Sequence, residues 1–235
     1  MSTRPATPGT AQQHAVDSLR WLIVSAELRP GQRVNQEDLA AAVGLSVAPV
    51  REALRVLEQE GQVTYLPRRG YFVTELRIED LQEIYALRQV LEERAARHAL
   101  PTLDGDALDR IAAAASACVE AARAGDVAAE LAANRAFHFA ILDAPTQPHA
   151  MRVIRLLWDS TEAYRAMYYN SPEEREASIA AHDRIIDAVR DRDADRLVAE
   201  LDAHRERALE VLRGVLAPEP ASARPEVVAD GDARK

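Results

Sequence analysis

Four polar residues sit where helical spacing calls for apolar ones. The stretch 127–141 carries Val127, Leu131, Asn134, His138 and Ile141 on one face, with Asn134 and His138 four residues apart. His182 falls in the stripe Ile179, Ile186, Val189, and His204 in the stripe Leu197, Leu201, Ala208, Val211. A buried imidazole needs partners for both ring nitrogens. Three converging in one core are readily satisfied by a divalent metal, so His138, His182 and His204 are candidate ligands. For each taken singly, the alternative is a hydrogen-bonded core or interface histidine.

Arg88 poses the same question on the stripe Leu81, Ile84/Tyr85, Leu91, Ala95. One reading is a buried ion pair with Glu92, one turn along. The other is a guanidinium that meets an effector carboxylate beside the metal. Trp158, Tyr164 and Tyr168 could line the same cavity or serve as core aromatics.

A second group of arginines lies near the N-terminus. Leu39 and Val43 are one turn apart, Gly44 can take the left-handed conformation that ends a helix, and Ser46 can cap the next one. Pro49 fits that helix's first turn, and Val50, Leu54 and Leu57 form its apolar stripe. Arg51 and Arg55 project from another face, the geometry of a DNA-reading helix-turn-helix. The alternative is an ordinary helix pair with solvated arginines. Two β-branched and aromatic runs within 61–73 then flank Pro67-Arg68-Arg69-Gly70, a hairpin with a basic tip. Together these predict a winged helix, with Arg68 and Arg69 where a wing meets phosphates or the minor groove.

These groups need scaffolds of two kinds. A first helix is expected over about 12–27, with Val16, Leu19, Ile23 and Val24 inward, and a short strand over 32–35. From 78 onward only helical periodicity remains, with helices expected at about 78–99, 106–124, 126–143, 149–169, 173–190 and 194–215. Pro101, Gly125, Pro145, Pro148, Pro172 and Asp191 punctuate them. The fold class is therefore mainly α: an N-terminal winged helix-turn-helix over 11–75 and an all-α bundle over 78–217. Residues 1–10 and 218–235 read as a disordered leader and tail.

Aromatics make up 5% of the 235 residues, which favours helices over a β-sandwich. The single cysteine, Cys118, excludes an internal disulfide and suits a small packed residue in a reducing compartment. No run is apolar enough for a membrane span and no signal peptide opens the chain, so a cytoplasmic location is expected. The net charge of −9 is unevenly shared. Residues 1–75 hold eight arginines and eight acids, whereas the rest holds 21 basic and 30 acidic residues. A neutral reading head is compatible with specific DNA binding and predicts weak non-specific affinity.

The run APVREALRVLEQEGQVTYLPRRGYFV, residues 48–73, resembles the N-terminal domain of the GntR superfamily of bacterial transcription regulators, and the likeness covers most of 12–74. It implies a DNA-contacting set of Ser46, Val47, Ala48, Pro49, Arg51, Arg55, Arg68, Arg69 and Gly70. Where the family often carries Arg-Thr, this chain has Val47-Ala48, so base readout there is not by an arginine. The C-terminal part resembles the FCD domain of the FadR-type subfamily, an all-helical ligand-binding bundle. That resemblance implies a metal held by Asn134, His138, His182 and His204, with Asn134 replacing the commoner Asp and weakening the site. Zinc is the first expectation, with nickel and manganese as alternatives. The resemblance also implies a small carboxylate effector near Arg88 and Glu92, whose cavity Tyr164 and Tyr168 could line.

The expected function is a transcription regulator, a repressor, binding a pseudo-palindromic double-stranded operator as a homodimer under control of a small organic acid. One alternative is a hydrolase-like metalloenzyme with an N-terminal docking module, since zinc-bound water is chemically capable of hydrolysis. No His-Glu-x-x-His motif supports that alternative. Another is a pure metal sensor, from which Arg88 would distinguish an acid-sensing protein.

Overall fold

The computed structural model describes residues 10–25, 27–75, 77–143, 147–169 and 171–216. Nearly all of the expected leader and tail lies outside the described residues. The chain opens with α1 (Ala11–Val24), capped by Thr10, whose hydroxyl accepts from the Gln13 amide. It ends three residues earlier than periodicity suggests, and Val24 is only half-buried. Strand β1 (Arg33–Val34) precedes α2 (Gln36–Val43), whose N-cap Asn35 accepts from the Glu37 amide at 2.9 Å. Gly44 ends α2 at φ 69°, a left-handed conformation that costs glycine little. Helix α3 (Val47–Gln59) follows after three residues, and Val50, Leu54 and Leu57 are buried as expected.

Strands β2 (Val63–Leu66) and β3 (Gly70–Val73) form the hairpin, and β1 joins its other edge, giving the order β1-β3-β2, all antiparallel. Apolar residues from α1, α2, α3 and the three strands share one core.

The rest is helical among the described residues: α4 (Ile78–Ala99), a 3-10 turn at Leu100–Thr102, α5 (Gly105–Ala124), α6 (Val127–Leu142), α7 (Pro148–Ser160), α8 (Glu162–Tyr168), α9 (Pro172–Arg190) and α10 (Ala194–Leu216). The expected single helix over 149–169 is in fact two. At Thr161, with φ −109° and ψ 8°, the chain leaves the helical ladder. The Trp158 carbonyl accepts from the Arg165 guanidinium at 2.7 Å, and the Thr161 hydroxyl accepts from it at 3.0 Å. A buried cation thus takes carbonyl capacity that a continuous helix would use itself.

The break also lies where the two parts of the chain touch. Gly61, at φ 75°, approaches so closely that a Cβ there would stand 3.2 Å from the Ser160 Cβ. Arg20 of α1 pairs with Glu60 at 2.7 Å and reaches Glu162 at 3.7 Å. Ala163 packs against the N-terminal core, and Val24 against the cluster holding Tyr168 and Tyr169.

One buried carboxylate lies apart from the functional residues. Glu130 of α6 is 1% exposed, 3.5 Å from the Arg175 Nε, and its Oε2 has no hydrogen-bond partner. Burial outweighs Arg175 and pushes its carboxyl up from 4.5 to about 7. Between those values the folded chain keeps a proton that the unfolded chain has lost, so stability falls as pH rises from about 4.5 to about 7. Glu130→Gln should therefore gain about 1–2 kcal/mol at pH 8, a rise of a few °C, and only about a quarter of that at pH 5. Thermal melts at both values test this, and an equal gain at pH 5 would refute it.

Candidate metal and effector centre and DNA-reading surface

The inward faces of α6, α9 and α10 bring the three histidines together. Asn134, His138, His182 and His204 are all buried, and one ligand atom from each imidazole lies within 4.8 Å of the others. The His138 and His204 rings stack at 5.2 Å, and His182 stands edge-on to both. Asn134 Oδ1 is 3.1 Å from His182 Nε2. Two donors each about 2.1 Å from one ion, at a right angle, are about 3 Å apart, so this spacing also suits shared coordination. The outward and inward residues of α9 differ slightly from expectation: Ile179 and Ile186 are half-buried, while Ser178 and Ile185 turn inward with His182.

All three imidazoles are held neutral. Burial, then neighbouring His204, His182, Arg88 and Arg205, lowers His138 well below its usual range. Burial and His204 do the same to His182. Burial with Arg88 and Arg205 brings His204 down to about 4. The Nδ1 atoms of all three are buried without a hydrogen-bond partner. Neutral rings with orphaned nitrogens are what a metal requires of its ligands, so the donor set fits a divalent ion. Such an ion would supply positive charge and open coordination positions for an anion.

Beside the histidines lies a compact charge cluster. The Glu92 carboxylate accepts from Arg88 Nε at 2.8 Å, from the Trp158 indole N–H at 2.7 Å and from Arg205 at 2.9 Å. Burial alone would raise that carboxyl, but Arg88 and Arg205 outweigh it and hold it at about 2. Both readings of Arg88 thus meet in one residue, which pairs with Glu92 and also lines the cavity. Its guanidinium lies 4.2 Å from the Trp158 ring centroid, and that of Arg165 lies 4.5 Å from it. Among the described residues Arg165 has no acidic partner within salt-bridge distance, and burial followed by Arg88 lowers it to about 10.

These groups, with Tyr85, Tyr168 and Tyr169, enclose a cavity of about 30 Å³, room for an ion and one or two waters. Tyr164, expected at this wall, packs instead with Leu81, Tyr85 and Leu212 in a separate apolar cluster. Arg165 and Arg205 were not foreseen. Their signal was present, because Leu201, Arg205, Ala208 and Leu212, like Thr161, Arg165 and Tyr168, repeat at three and four residues.

On the opposite part of the chain, α3 exposes Ser46, Ala48, Arg51 and Arg55, and Pro49 is half-buried. Ser46 occupies the N-cap position but its hydroxyl makes no capping bond. Val47 packs half-buried against the N-terminal core, so its side chain is directed inward, away from the exposed face. Arg55 pairs with Glu52 at 3.0 Å. At the wing tip Arg68 takes φ 64°, Arg69 lies 5.1 Å from the Phe72 ring centroid, and Gly70 begins β3.

The family model for the FCD domain matches residues 83–207, and that for bacterial regulatory proteins of the gntR family matches residues 11–73. The uncharacterized HTH-type transcriptional regulator YdhC of Bacillus subtilis (strain 168) is 27% identical over 201 residues, covering 85% of this chain and 90% of that protein. The Nta operon transcriptional regulator of Aminobacter aminovorans is 29% identical, over 83% of this chain and 93% of its own length. The solved structure of E. coli McbR/YncC has the same fold, with TM-score 0.77 at 23% identity over 88% of this chain and 99% of that one.

Proposed function

Because the chain belongs to the gntR family of bacterial regulatory proteins and carries an FCD domain, we propose that its helical bundle, residues 78–217, senses a small organic acid bound beside a divalent metal. It is a DNA-binding transcription regulator that responds to an effector, and not an enzyme, which sets the hydrolase alternative aside. Among the described residues no helix is long and apolar enough to cross a membrane. In this reading the winged helix, residues 11–75, grips a pseudo-palindromic operator as a cytoplasmic homodimeric repressor.

The observation that carries the effector reading is the adjoining of the two clusters. Three neutral imidazoles with unpartnered Nδ1 atoms stand against three buried guanidiniums, of which Arg88 and Arg205 share the buried Glu92 while Arg165 bonds the Trp158 carbonyl and the Thr161 hydroxyl. With a divalent ion added, positive charge exceeds negative, and Asn134 as a neutral ligand cancels none. A carboxylate that ligates the metal and pairs with Arg88 or Arg165 would restore balance. Zinc suits the three imidazoles, with nickel or manganese as alternatives. Because the cavity is close to filled by an ion and water, an organic acid must select a more open arrangement. Opening there would act on Arg165 and the α7–α8 break, which touches α1 and Gly61 of the reading head.

The DNA-binding role is tested by gel-shift titration on an operator fragment selected from random sequence. Arg51→Ala should weaken specific binding about 5- to 100-fold and relax base preference. The double substitution Arg68→Ala/Arg69→Ala should weaken binding to all sequences more evenly and flatten its salt dependence. Unchanged affinity and salt slope in the triple variant would exclude this surface as the reading head.

A further inference from the structure

Over residues 47–55 the exposed side chains of α3 are Ala48, Arg51, Glu52 and Arg55, which helical spacing aligns on one side. Glu52 and Arg55 hold each other at 3.0 Å, whereas Arg51, among the described residues, makes no ion pair within the chain. The first turn is of another character. Val47, Ala48, Pro49 and Val50 carry no side-chain donor or acceptor. Val47 packs inward, Pro49 is half-buried and Val50 is buried, so the turn presents one methyl group outward, that of Ala48. An exposed alanine on a helix is ordinary. This one stands where a recognition helix meets base edges, three residues before the unpaired arginine.

In the major groove every base pair offers hydrogen-bonding edges, and thymine alone adds a methyl group. Ala48 set against a polar edge would strip its water without replacing the bonds. Set against a thymine methyl, it displaces water from apolar surface on both sides. Its reach is one carbon, with no rotamer to adjust, so the contact demands a fixed depth of α3 in the groove. Arg51, long and charged, suits the two acceptors on the edge of guanine. Three residues of helix rise about 4.5 Å, and successive base pairs lie about 3.4 Å apart. The two groups therefore address bases within about two steps of each other.

We propose that Ala48 selects a thymine in each operator half-site through its 5-methyl group, within about two base pairs of a guanine read by Arg51. The proposal rests on the reading of α3 as the DNA-contacting helix, and adds a base and the atom by which it is recognised. The first turn of α3 thus specifies by apolar fit, and the second by charge and hydrogen bonding.

The test uses the full chain and a duplex selected from random sequence, with each thymine replaced in turn by deoxyuridine, which removes the methyl and keeps the hydrogen-bonding edge. In gel-shift titration, one replacement in each half-site should weaken wild-type binding about three- to fourfold. That thymine should lie within about two base pairs of the guanine whose preference Arg51→Ala relaxes. Ala48→Gly should bind the thymine and uracil duplexes equally, more weakly than wild type binds thymine, and circular dichroism should show it folded. No methyl-sensitive thymine near that guanine would overturn the proposal, leaving Ala48 as a small residue that merely lets the helix approach. A thymine-to-uracil loss of the same size in Ala48→Gly would overturn it too, by assigning the methyl to another residue. Base preference unchanged in Arg51→Ala as well as in Ala48→Gly would overturn the reading of α3 itself.

Discussion

Glu92→Ala should lower the stability of the helical bundle by about 3–5 kcal/mol, the largest effect of any single substitution considered. The carboxylate accepts from two guanidiniums and an indole N–H, and the Glu92, Arg88 and Arg205 side chains are 2%, 6% and 6% exposed. Its removal leaves Arg88 and the indole N–H buried without their acceptor, and Arg205 with Asp202 alone, beside the further buried cation Arg165. For a chain of this size that loss corresponds to a fall in melting temperature on the order of 10 °C. Glu92→Gln keeps the shape but loses the charge, and should fall in between. The exposed pair Arg184–Glu200, at 2.8 Å, supplies the contrast, since Glu200→Ala should change stability by less than about 1 kcal/mol. Urea titration of the three variants decides the matter, and a Glu92→Ala protein as stable as wild type would mean the cluster is not stabilising. Arg88→Ala should be milder, because Arg205 and Trp158 still hold Glu92.

That last difference makes a second result accessible. His138→Ala, His182→Ala and His204→Ala are each expected to lose most bound divalent metal, since each removes one of three converging donors. His14→Ala and His149→Ala, at exposed positions, should lose none. Elemental analysis of the five variants reads this out, and equal metal in all of them would return the three histidines to packing roles. A ligand present at a hundred times its dissociation constant adds about 2.7 kcal/mol to the folded state, so the effect should also appear in melts. Small organic acids should raise the melting temperature of the metal-loaded protein above that given by their amides and alcohols, and change operator affinity. Arg88→Ala should lose this response while keeping its metal. Amides as effective as acids, or an undiminished response in Arg88→Ala, would instead favour a sensor of the metal alone.

Much of the architecture was legible because it depends on neighbours in sequence. Gly44, Ser46 and Pro49 mark the turn and second helix of the reading head by backbone chemistry alone, and the hairpin's basic tip is local in the same sense. The α4 helix runs Ile78–Ala99, as its periodicity and flanking residues indicate. The break at Thr161 was not legible, because its cause is a competition between a helix and a guanidinium four residues on, and nothing in the spacing of 149–169 reveals which wins. Val47 illustrates the same limit in reverse: its place in the motif is plain, but whether it turns toward solvent or core depends on how α1 and α2 pack around it.

The amino-acid sequence by itself determined that three histidines would be turned inward on three helices, since period and burial follow from the apolar residues beside them. Their meeting at one point was decided only by the tertiary structure, because the rotation and depth of α6, α9 and α10 depend on packing between residues far apart in the chain. The same holds for Glu92. Its neighbour Arg88 is one turn away and was foreseeable, whereas Arg205 lies 113 residues on and Trp158 lies 66 residues on. A local motif can announce a pair, but only the closed bundle, by excluding water from all of them at once, makes one carboxylate the shared partner of charges from distant helices.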